Sequence, residues 1–220
     1  MNARSKKRIR LRCVSRRRAI RFETLEQREL LTASANELAA ERYIDVVEEF
    51  VGNVLADGRD KYGPIETPLL ADGINRETRQ PLTWTKNGNQ FILSNLASQQ
   101  TLLRTLVGVS SLTGNPAYRQ AAVDAVAYGF DTLQSPFNGL LAWGGHTAYD
   151  LGNDIRIGSF SNGRHELKRH FPFYELMWEV DPNATYRFIE GFWGAHVIDW
   201  SKLDFDRHGS FQKQVDDVWN

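Results

Sequence analysis

The 220-residue sequence predicts an all-α fold, a partial (α/α) toroid or barrel of antiparallel helix hairpins that is incomplete at its C-terminal end. Three observations lead to this prediction. Apolar residues recur at helical spacing, Asn-Pro and Asp-Pro steps open helices, and long connections separate the helix pairs. Successive antiparallel helix pairs build toroids and α-solenoids, so an α-solenoid is the alternative.

The first helix is predicted over residues 37–55, where Ser34 or Asn36 can cap its start and Gly58 can stop it. Its apolar positions at helical spacing are Tyr43, Val46, Val47, Phe50, Val51 and Val54. Residues 58–89 are rich in Gly, Pro, Asn and Thr. We expect a long irregular connection there rather than a packed element, and connections of that length are often functional.

Two helix hairpins are predicted after this connection. A helix over residues 91–112 ends at Gly114, and Asn115-Pro116 opens the next, which continues to about residue 133. A further helix is predicted over residues 165–179, and Asp181-Pro182 opens another to about residue 200. Residues 211–219 look like the start of one more helix. Because the chain stops inside this apolar pattern, we expect a truncated product or a fragment.

Charge is distributed unevenly along the chain. The first 21 residues hold ten of the 27 basic residues and none of the 27 acidic ones, so the remaining 199 residues carry a net charge of −10. Such an acidic body repels polyanions, so we expect no nucleic-acid partner for it. An acidic polysaccharide would bind only at a locally positive or metal-bearing site. Cys13 is the single cysteine, so neither a disulfide framework nor a thiolate metal site can form. No apolar run is long enough for a transmembrane helix. We also expect the protein to be a monomer.

Residues 1–33 are predicted to be a basic export or targeting segment, disordered, ahead of a domain over residues 34–220. The stretch FETLEQRELL at residues 22–31 resembles the LEPR-x-LL segment of many secreted planctomycete proteins, with Gln27 where that pattern has Pro. The resemblance implies an exported protein, periplasmic, extracellular or on the cell surface. A transit peptide or a disordered nucleic-acid-binding tail is the alternative.

Three places in the sequence hold candidate ligands. His146 follows a tryptophan and two glycines, where backbone can approach a ligand, and a histidine bonded to the loop backbone is the alternative. If residues 165–179 are helical, Glu166 and His170 share a face and could bind one ion, or belong to a solvated charged turn. His208 follows Arg207 in a predicted turn.

Taken in order, His146, Glu166 and Arg207-His208 resemble the site of the family 2 polysaccharide lyases, which are pectate lyases with an α/α toroid. In that family a His, a Glu and a second His bind a divalent metal, and the catalytic Arg immediately precedes the second His. Here the separations are 20 and 42 residues. The resemblance covers residues 40–220 and implies metal ligation by His146, Glu166 and His208 and the role of base for Arg207. The segments YGPIETPLLADG, FILSNLASQQTLLRTL, LTGNPAYRQAA and HFPFYELMWEVDP also resemble planctomycete members of the pectate lyase superfamily.

The implied reaction is metal-assisted β-elimination of polygalacturonate. A bound cation would neutralise the uronate carboxylate and stabilise the charge formed when the C5 proton leaves. Ligation by two His and one Glu suits Mn²⁺, with Ca²⁺ or another transition ion as alternatives. A free guanidinium keeps its proton, so Arg207 as a base requires burial beside the metal and alkaline conditions.

Four further residues are candidates for substrate binding. Trp143 could stack on a sugar ring, and Lys168 and Arg169, followed by His170, could pair with uronate carboxylates. One alternative function is a glycoside hydrolase or sugar epimerase without metal. Its carboxylates would come from Asp150, Asp154, Glu166 or Glu175. The other is a non-catalytic fragment that binds carbohydrate without turnover.

Overall fold

The computed structural model describes residues 25–167 and 171–213, which form five α-helices, one π-helical turn and nine short β-strands. The helices are α1 (Leu25–Gly58), α2 (Leu96–Thr113), α3 (Pro116–Tyr128), α4 (Tyr174–Val180) and α5 (Pro182–His196), with the π-helical turn at Gly129–Leu133. The strands are β1 (Trp84–Lys86), β2 (Asn89–Phe91), β3 (Leu93–Ser94), β4 (Ala148–Asp150), β5 (Ile155–Ile157), β6 (Arg164–Glu166), β7 (Val197–Asp199), β8 (Asp204–Phe205) and β9 (His208–Ser210). By its internal contacts the chain divides into units Met1–Glu41 and Arg42–Asn220, and the side-chain contacts described below lie in the second unit.

Helix α1 begins at Leu25, earlier than predicted, and ends at Gly58 as predicted. Val51 is fully buried, whereas Tyr43 and Phe50 are 74% and 53% exposed, so the predicted apolar face is covered only near the C-terminal end of the helix. Residues 1–24 of the predicted export segment lie outside the described residues, and its boundary at residue 33 stays a prediction. No helix in the described ranges is both long and apolar enough to cross a membrane.

The predicted helix caps are confirmed. The side chains of Asn115 and Asp181 accept hydrogen bonds from backbone N–H groups at 3.1 and 2.9 Å, and a proline follows each of them. Gly114 ends α2 with a φ of 74°, which a glycine adopts without steric cost. These local signals place the starts of α3 and α5 because a cap depends on residues adjacent in sequence.

The hydrophobic core is built around the α2–α3 and α4–α5 hairpins, with α3 also contacting α4. Its fully buried side chains include Leu103, Leu106, Leu133, Leu140, Met177 and Phe188. The connection predicted over residues 58–89 is irregular up to residue 83, but it then forms strand β1, and it is packed, because Leu69 and Leu70 are 0% and 1% exposed. Buried Asp60 accepts hydrogen bonds from the backbone N–H and the hydroxyl of Thr67, at 3.1 and 2.7 Å, and so shapes the turn that places these leucines inside.

The prediction of an all-α fold is wrong, and with it the partial (α/α) toroid. The nine strands pair antiparallel into four small sheets, β1–β2, β3–β4–β5, β6–β9 and β7–β8, so the fold is mixed α and β. Each strand has two or three residues. The alternation that marks a strand is readable over about four residues or more. Strands this short therefore left no pattern in the sequence.

The helix predicted over residues 165–179 is wrong at residues 165–167 and 171–173. Arg164–Glu166 is strand β6, and α4 begins only at Tyr174. Pro172 has no backbone N–H to donate and disfavours helical geometry in the residue before it, which works against a helix running through Phe171 into α4. Helix α5 ends at His196 because the following residues pair with β8. Residues 211–213 form a turn, and the remainder of the helix predicted from residue 211 lies outside the described residues.

Candidate functional site

Strands β6 and β9 bring Glu166 and His208 together from positions 42 residues apart in sequence. The antiparallel register pairs Glu166 with His208 and His165 with Gly209. Because side chains alternate between the two faces of a strand, Glu166 and His208 share one face. His165 projects from the opposite face and is 1% exposed. The two strands therefore separate a ligand face from a core face.

A loop carries His146 to the ligand face. Its Gly144 has a φ of 104°, which residues with a side chain rarely adopt, and a Cβ at this position would lie 3.1 Å from the Cβ of Glu166. The loop backbone thus rests directly on β6. As a result, Nε2 of His146 lies 3.1 Å from Nε2 of His208.

Asn95 holds this loop in place. Its side-chain amide donates to the carbonyl of Gly144 over 2.6 Å and accepts from the N–H of the same residue over 3.1 Å. Its Oδ1 also accepts from the N–H of Ala97, so Asn95 is the N-cap of α2. The sequence prediction missed this residue because it started the helix at residue 91. An Asn directly before a buried apolar turn was the available signal.

The structure brings together the three residues predicted as metal ligands. One ring nitrogen from each of His146 and His208 and one carboxylate oxygen of Glu166 all lie within 4.8 Å of one another. Two imidazole nitrogens bound at ~2.1 Å, at right angles on one ion, are ~3 Å apart. The 3.1 Å between the two Nε2 atoms matches that separation. Two imidazoles and a carboxylate also suit a divalent transition ion, so the residues present fit such a cation. Metal binding by them stays a prediction.

The hydrogen bonds of Asn95 lead to a prediction about metal affinity. We expect Asn95→Ala to weaken Mn²⁺ binding by about tenfold, the order seen when a group that orients a ligand is removed. It should also lower the free energy of unfolding by about 1 kcal/mol, because α2 loses its cap. Asn95→Asp is the matched control, since aspartate caps a helix but cannot donate to the Gly144 carbonyl. Calorimetric titration should show weakened binding in both variants, because neither side chain can donate to the Gly144 carbonyl. Unchanged affinity in both would contradict the prediction.

Arg207 lies beside the three candidate ligands. Its guanidinium forms an ion pair with Oε1 of Glu166, and its backbone carbonyl accepts a hydrogen bond from the N–H of Leu167 over 2.9 Å. The side chain of Arg207 is 68% exposed and that of Glu166 is 2% exposed, so a buried carboxylate contacts a cation that faces solvent. The structure thus places Arg207 in contact with one of the three candidate ligands. Its role as a base stays a prediction.

Trp143 lies in the core and borders a cavity. It is 5% exposed and packs edge-on against Phe188, with ring centroids 4.9 Å apart. The cavity has a volume of about 490 Å³, and Glu166, Tyr174 and Trp193 also line it. Aromatic side chains of this kind suit the apolar faces of sugar rings. Stacking of Trp143 on a sugar stays a prediction.

The remaining predicted substrate-binding residues, Lys168, Arg169 and His170, lie outside the described residues. Their predicted contact with uronate carboxylates stays a prediction. The proposed helix face shared by Glu166 and His170 is wrong, because Glu166 lies in strand β6 and not in a helix. Glu166 instead meets its neighbours through pairing with β9, which local spacing does not reveal.

Comparison with known proteins identifies the family. A family model described as periplasmic pectate lyase matches residues 67–220, a range that includes the three candidate ligands and Arg207. The chain is also 38% identical over 178 residues to a pectate disaccharide-lyase of Dickeya dadantii (strain 3937). The aligned part is 80% of this chain and 32% of that relative, so the chain spans about a third of the relative's length. The chain belongs to the periplasmic pectate lyase family.

Proposed function

We propose that this chain carries the metal centre of a pectate lyase that cleaves polygalacturonate by β-elimination. The convergence of His146, Glu166 and His208 beside Arg207 carries the proposal. These residues come from one loop, two strands and the residue before a strand, so no single local element brings them together. Membership of the family and similarity to a pectate disaccharide-lyase support the same reaction class.

In this proposal His146, Glu166 and His208 hold one divalent cation. Mn²⁺ is favoured over Ca²⁺ because two of the three ligands are nitrogen atoms and Ca²⁺ prefers oxygen. When bound, the ion acts as a Lewis acid that stabilises the negative charge developing on the uronate. The ligand set contributes one negative charge, so the centre stays positive with a divalent ion. Residues 22–220 carry a net charge of −10 and repel a polyanion. A local positive charge at the metal centre would let the polyanion bind.

Arg207 takes the proton from C5 of the uronate in this mechanism. A double bond then forms between C4 and C5, the bond from C4 to the glycosidic oxygen breaks, and that oxygen takes up a proton. A free guanidinium keeps its proton at ordinary pH, so its use as a base requires alkaline conditions. We therefore propose that the reaction proceeds at alkaline pH.

Substrate contacts and location are part of the same proposal. The aromatic cavity beside Glu166, with Trp143 in its wall, supports sugar binding next to the ligand cluster. Lys168, Arg169 and His170 would pair with carboxylates further along the polymer. The family description supports export to the periplasm, as proposed from the N-terminal segment.

Two of the four carboxylates suggested for a metal-independent hydrolase, Asp150 and Asp154, have structural contacts. Asp150 is fully buried and accepts hydrogen bonds from the backbone N–H groups of Ile92 and Gly152 at 3.0 and 3.1 Å. Asp154 accepts from the N–H of Ile65 at 2.9 Å. These contacts order the backbone around β3 and β4. The lyase is therefore favoured over the hydrolase.

The test is the absorbance of unsaturated uronate in the ultraviolet while the purified chain acts on polygalacturonate at alkaline pH. We expect absorbance to rise, to stop rising with a chelator, and to rise again when Mn²⁺ is added. His146→Ala is the matched control and should stay inactive with Mn²⁺. A rise that a chelator leaves unchanged would contradict the metal centre. Binding of polygalacturonate without any rise in absorbance would favour the alternative function, a non-catalytic fragment that binds carbohydrate. The chain spans about a third of its relative's length, which makes this outcome worth testing.

A further inference from the structure

Two buried histidines lie directly beneath the candidate metal ligands and have no part in the proposed reaction. His165 of β6 and His196 at the end of α5 are 1% and 0% exposed. Nδ1 of His165 lies 2.7 Å from Nε2 of His196. Nδ1 of His196 lies 2.8 Å from the carbonyl oxygen of Asp206. The two rings therefore form one hydrogen-bonded chain that ends on the backbone.

The hydrogen-bond partners fix the tautomer of each ring. A carbonyl oxygen can only accept, so Nδ1 of His196 carries a proton, and in the neutral ring its Nε2 is then bare. That bare nitrogen can only accept, so Nδ1 of His165 carries the proton between the rings. Both rings are neutral in this arrangement. Burial agrees with this, because it lowers the pKa of His165 to about 3 and also lowers the pKa of His196.

This hydrogen-bonded chain joins two of the three segments that carry the site. His165 directly precedes Glu166, and Asp206 directly precedes Arg207 and His208. His196 holds Asp206 at two points, because its ring donates to the Asp206 carbonyl and its own carbonyl accepts from the Asp206 N–H over 2.7 Å. The link runs on the core side of β6 and β9, opposite the ligand face.

Gly209 makes room for this arrangement. It pairs with His165 across the two strands, and a Cβ at position 209 would lie 2.8 Å from Nε2 of His196 and 3.0 Å from the Cβ of Ala195. A side chain there would push against the bridging nitrogen. The ring of His196 therefore packs against the backbone of β9 next to His208.

We propose that His196 is a positioning residue, whose ring links β6 to the segment before β9 and so holds Glu166 and His208 at the separation needed to bind one cation. The inference rests on the proposed metal centre. His196 touches neither substrate nor metal, and it acts through the backbone on both sides of the ligand pair. Groups that orient metal ligands in this way change affinity by about 10- to 100-fold when removed.

The test compares Mn²⁺ affinity in four proteins by calorimetric titration. We expect His196→Leu, which removes both hydrogen bonds, to bind about tenfold more weakly than wild type. His196→Gln keeps one donor and one acceptor and should recover part of the loss. Leu106→Ala, a truncation in the core on α2, should lower the melting temperature but keep wild-type affinity. Wild-type affinity in a normally folded His196→Leu, or a loss of affinity in His196→Gln as large as in His196→Leu, would overturn the inference while leaving the metal centre intact.

Nitrogen NMR of the histidine rings in metal-free wild-type protein supplies a second, independent readout. We expect the rings of His165 and His196 to be neutral and protonated at Nδ1, and the His196 signal to be absent in His196→Leu and His196→Gln. A His196 ring protonated at Nε2 would overturn the inference even if the variants bind metal weakly. Wild-type protein that binds no Mn²⁺ would instead overturn the proposed metal centre, and the positioning role with it.

Discussion

Replacing Arg207 with alanine should reduce polygalacturonate cleavage by about 10²- to 10⁴-fold, the usual contribution of a general base. The expected loss follows from the position of the guanidinium, which is paired with Glu166 beside both candidate imidazole ligands. The side chain is 68% exposed, so its removal should leave the fold unchanged. Initial rates of ultraviolet absorbance at saturating Mn²⁺ measure the effect. Mn²⁺ affinity should stay within a few-fold of wild type because Arg207 supplies no metal ligand.

Arg164→Ala is the matched control for this variant. Arg164 lies at the other end of the same pair of strands, opposite Ser210, and is also exposed. Its removal changes the net charge near the site equally, so it should reduce the rate only by the small amount that weaker attraction of the polyanion explains. Equal losses in the two variants would show that Arg207 acts through charge and not as the base. Full activity of Arg207→Ala would exclude both roles.

Replacing Glu166 with glutamine should weaken Mn²⁺ binding by more than 100-fold and abolish the metal-dependent rise in absorbance. Groups that only orient a ligand contribute about 10- to 100-fold to affinity, and the charged ligand itself should contribute more. Glutamine has nearly the same shape, so the buried position beneath Gly144 stays filled. Urea unfolding should give a free energy close to that of wild type, which separates loss of metal from loss of fold.

Glu175→Gln is the control for the glutamate variant. Glu175 lies in the first turn of α4 and is exposed, and it was one of the carboxylates considered for a hydrolase. We expect its replacement to change neither Mn²⁺ affinity nor the rate. A larger effect of Glu175→Gln than of Glu166→Gln would contradict the proposed centre and favour a metal-independent reaction.

Prediction from sequence succeeded where structure depends on neighbouring residues. Asn115, Asp181 and Gly114 mark helix ends because a cap forms within a few residues of the chain. Prediction from sequence failed where the interacting residues are far apart in the sequence. The two- and three-residue strands have too few positions to show alternation, so the predicted all-α fold missed β6 and β9.

The site residues were predicted from a family resemblance, whereas the fold was predicted from local patterns. His146, Glu166, Arg207 and His208 were selected by their resemblance to a known order of ligands and base, and the structure places them together although the fold class was wrong. Asn95 and His196 were not predicted. Asn95 holds the loop with His146 across 49 residues, and His196 holds the core side of the ligand strands across 31 residues from His165. Neither contact leaves a local pattern.

By itself, then, the sequence determined the end of α2, the starts of α3 and α5, the uneven charge, and the family to which the chain belongs. The tertiary structure alone decided that Glu166 lies in a strand opposite His208, that Gly144 brings His146 within 3.1 Å of His208, and that two neutral histidines support the ligand strands. The physical reason is the separation in sequence between the residues that interact. Caps and charge are properties of adjacent residues, whereas the site depends on hydrogen bonds and close backbone contacts between segments that meet only after folding.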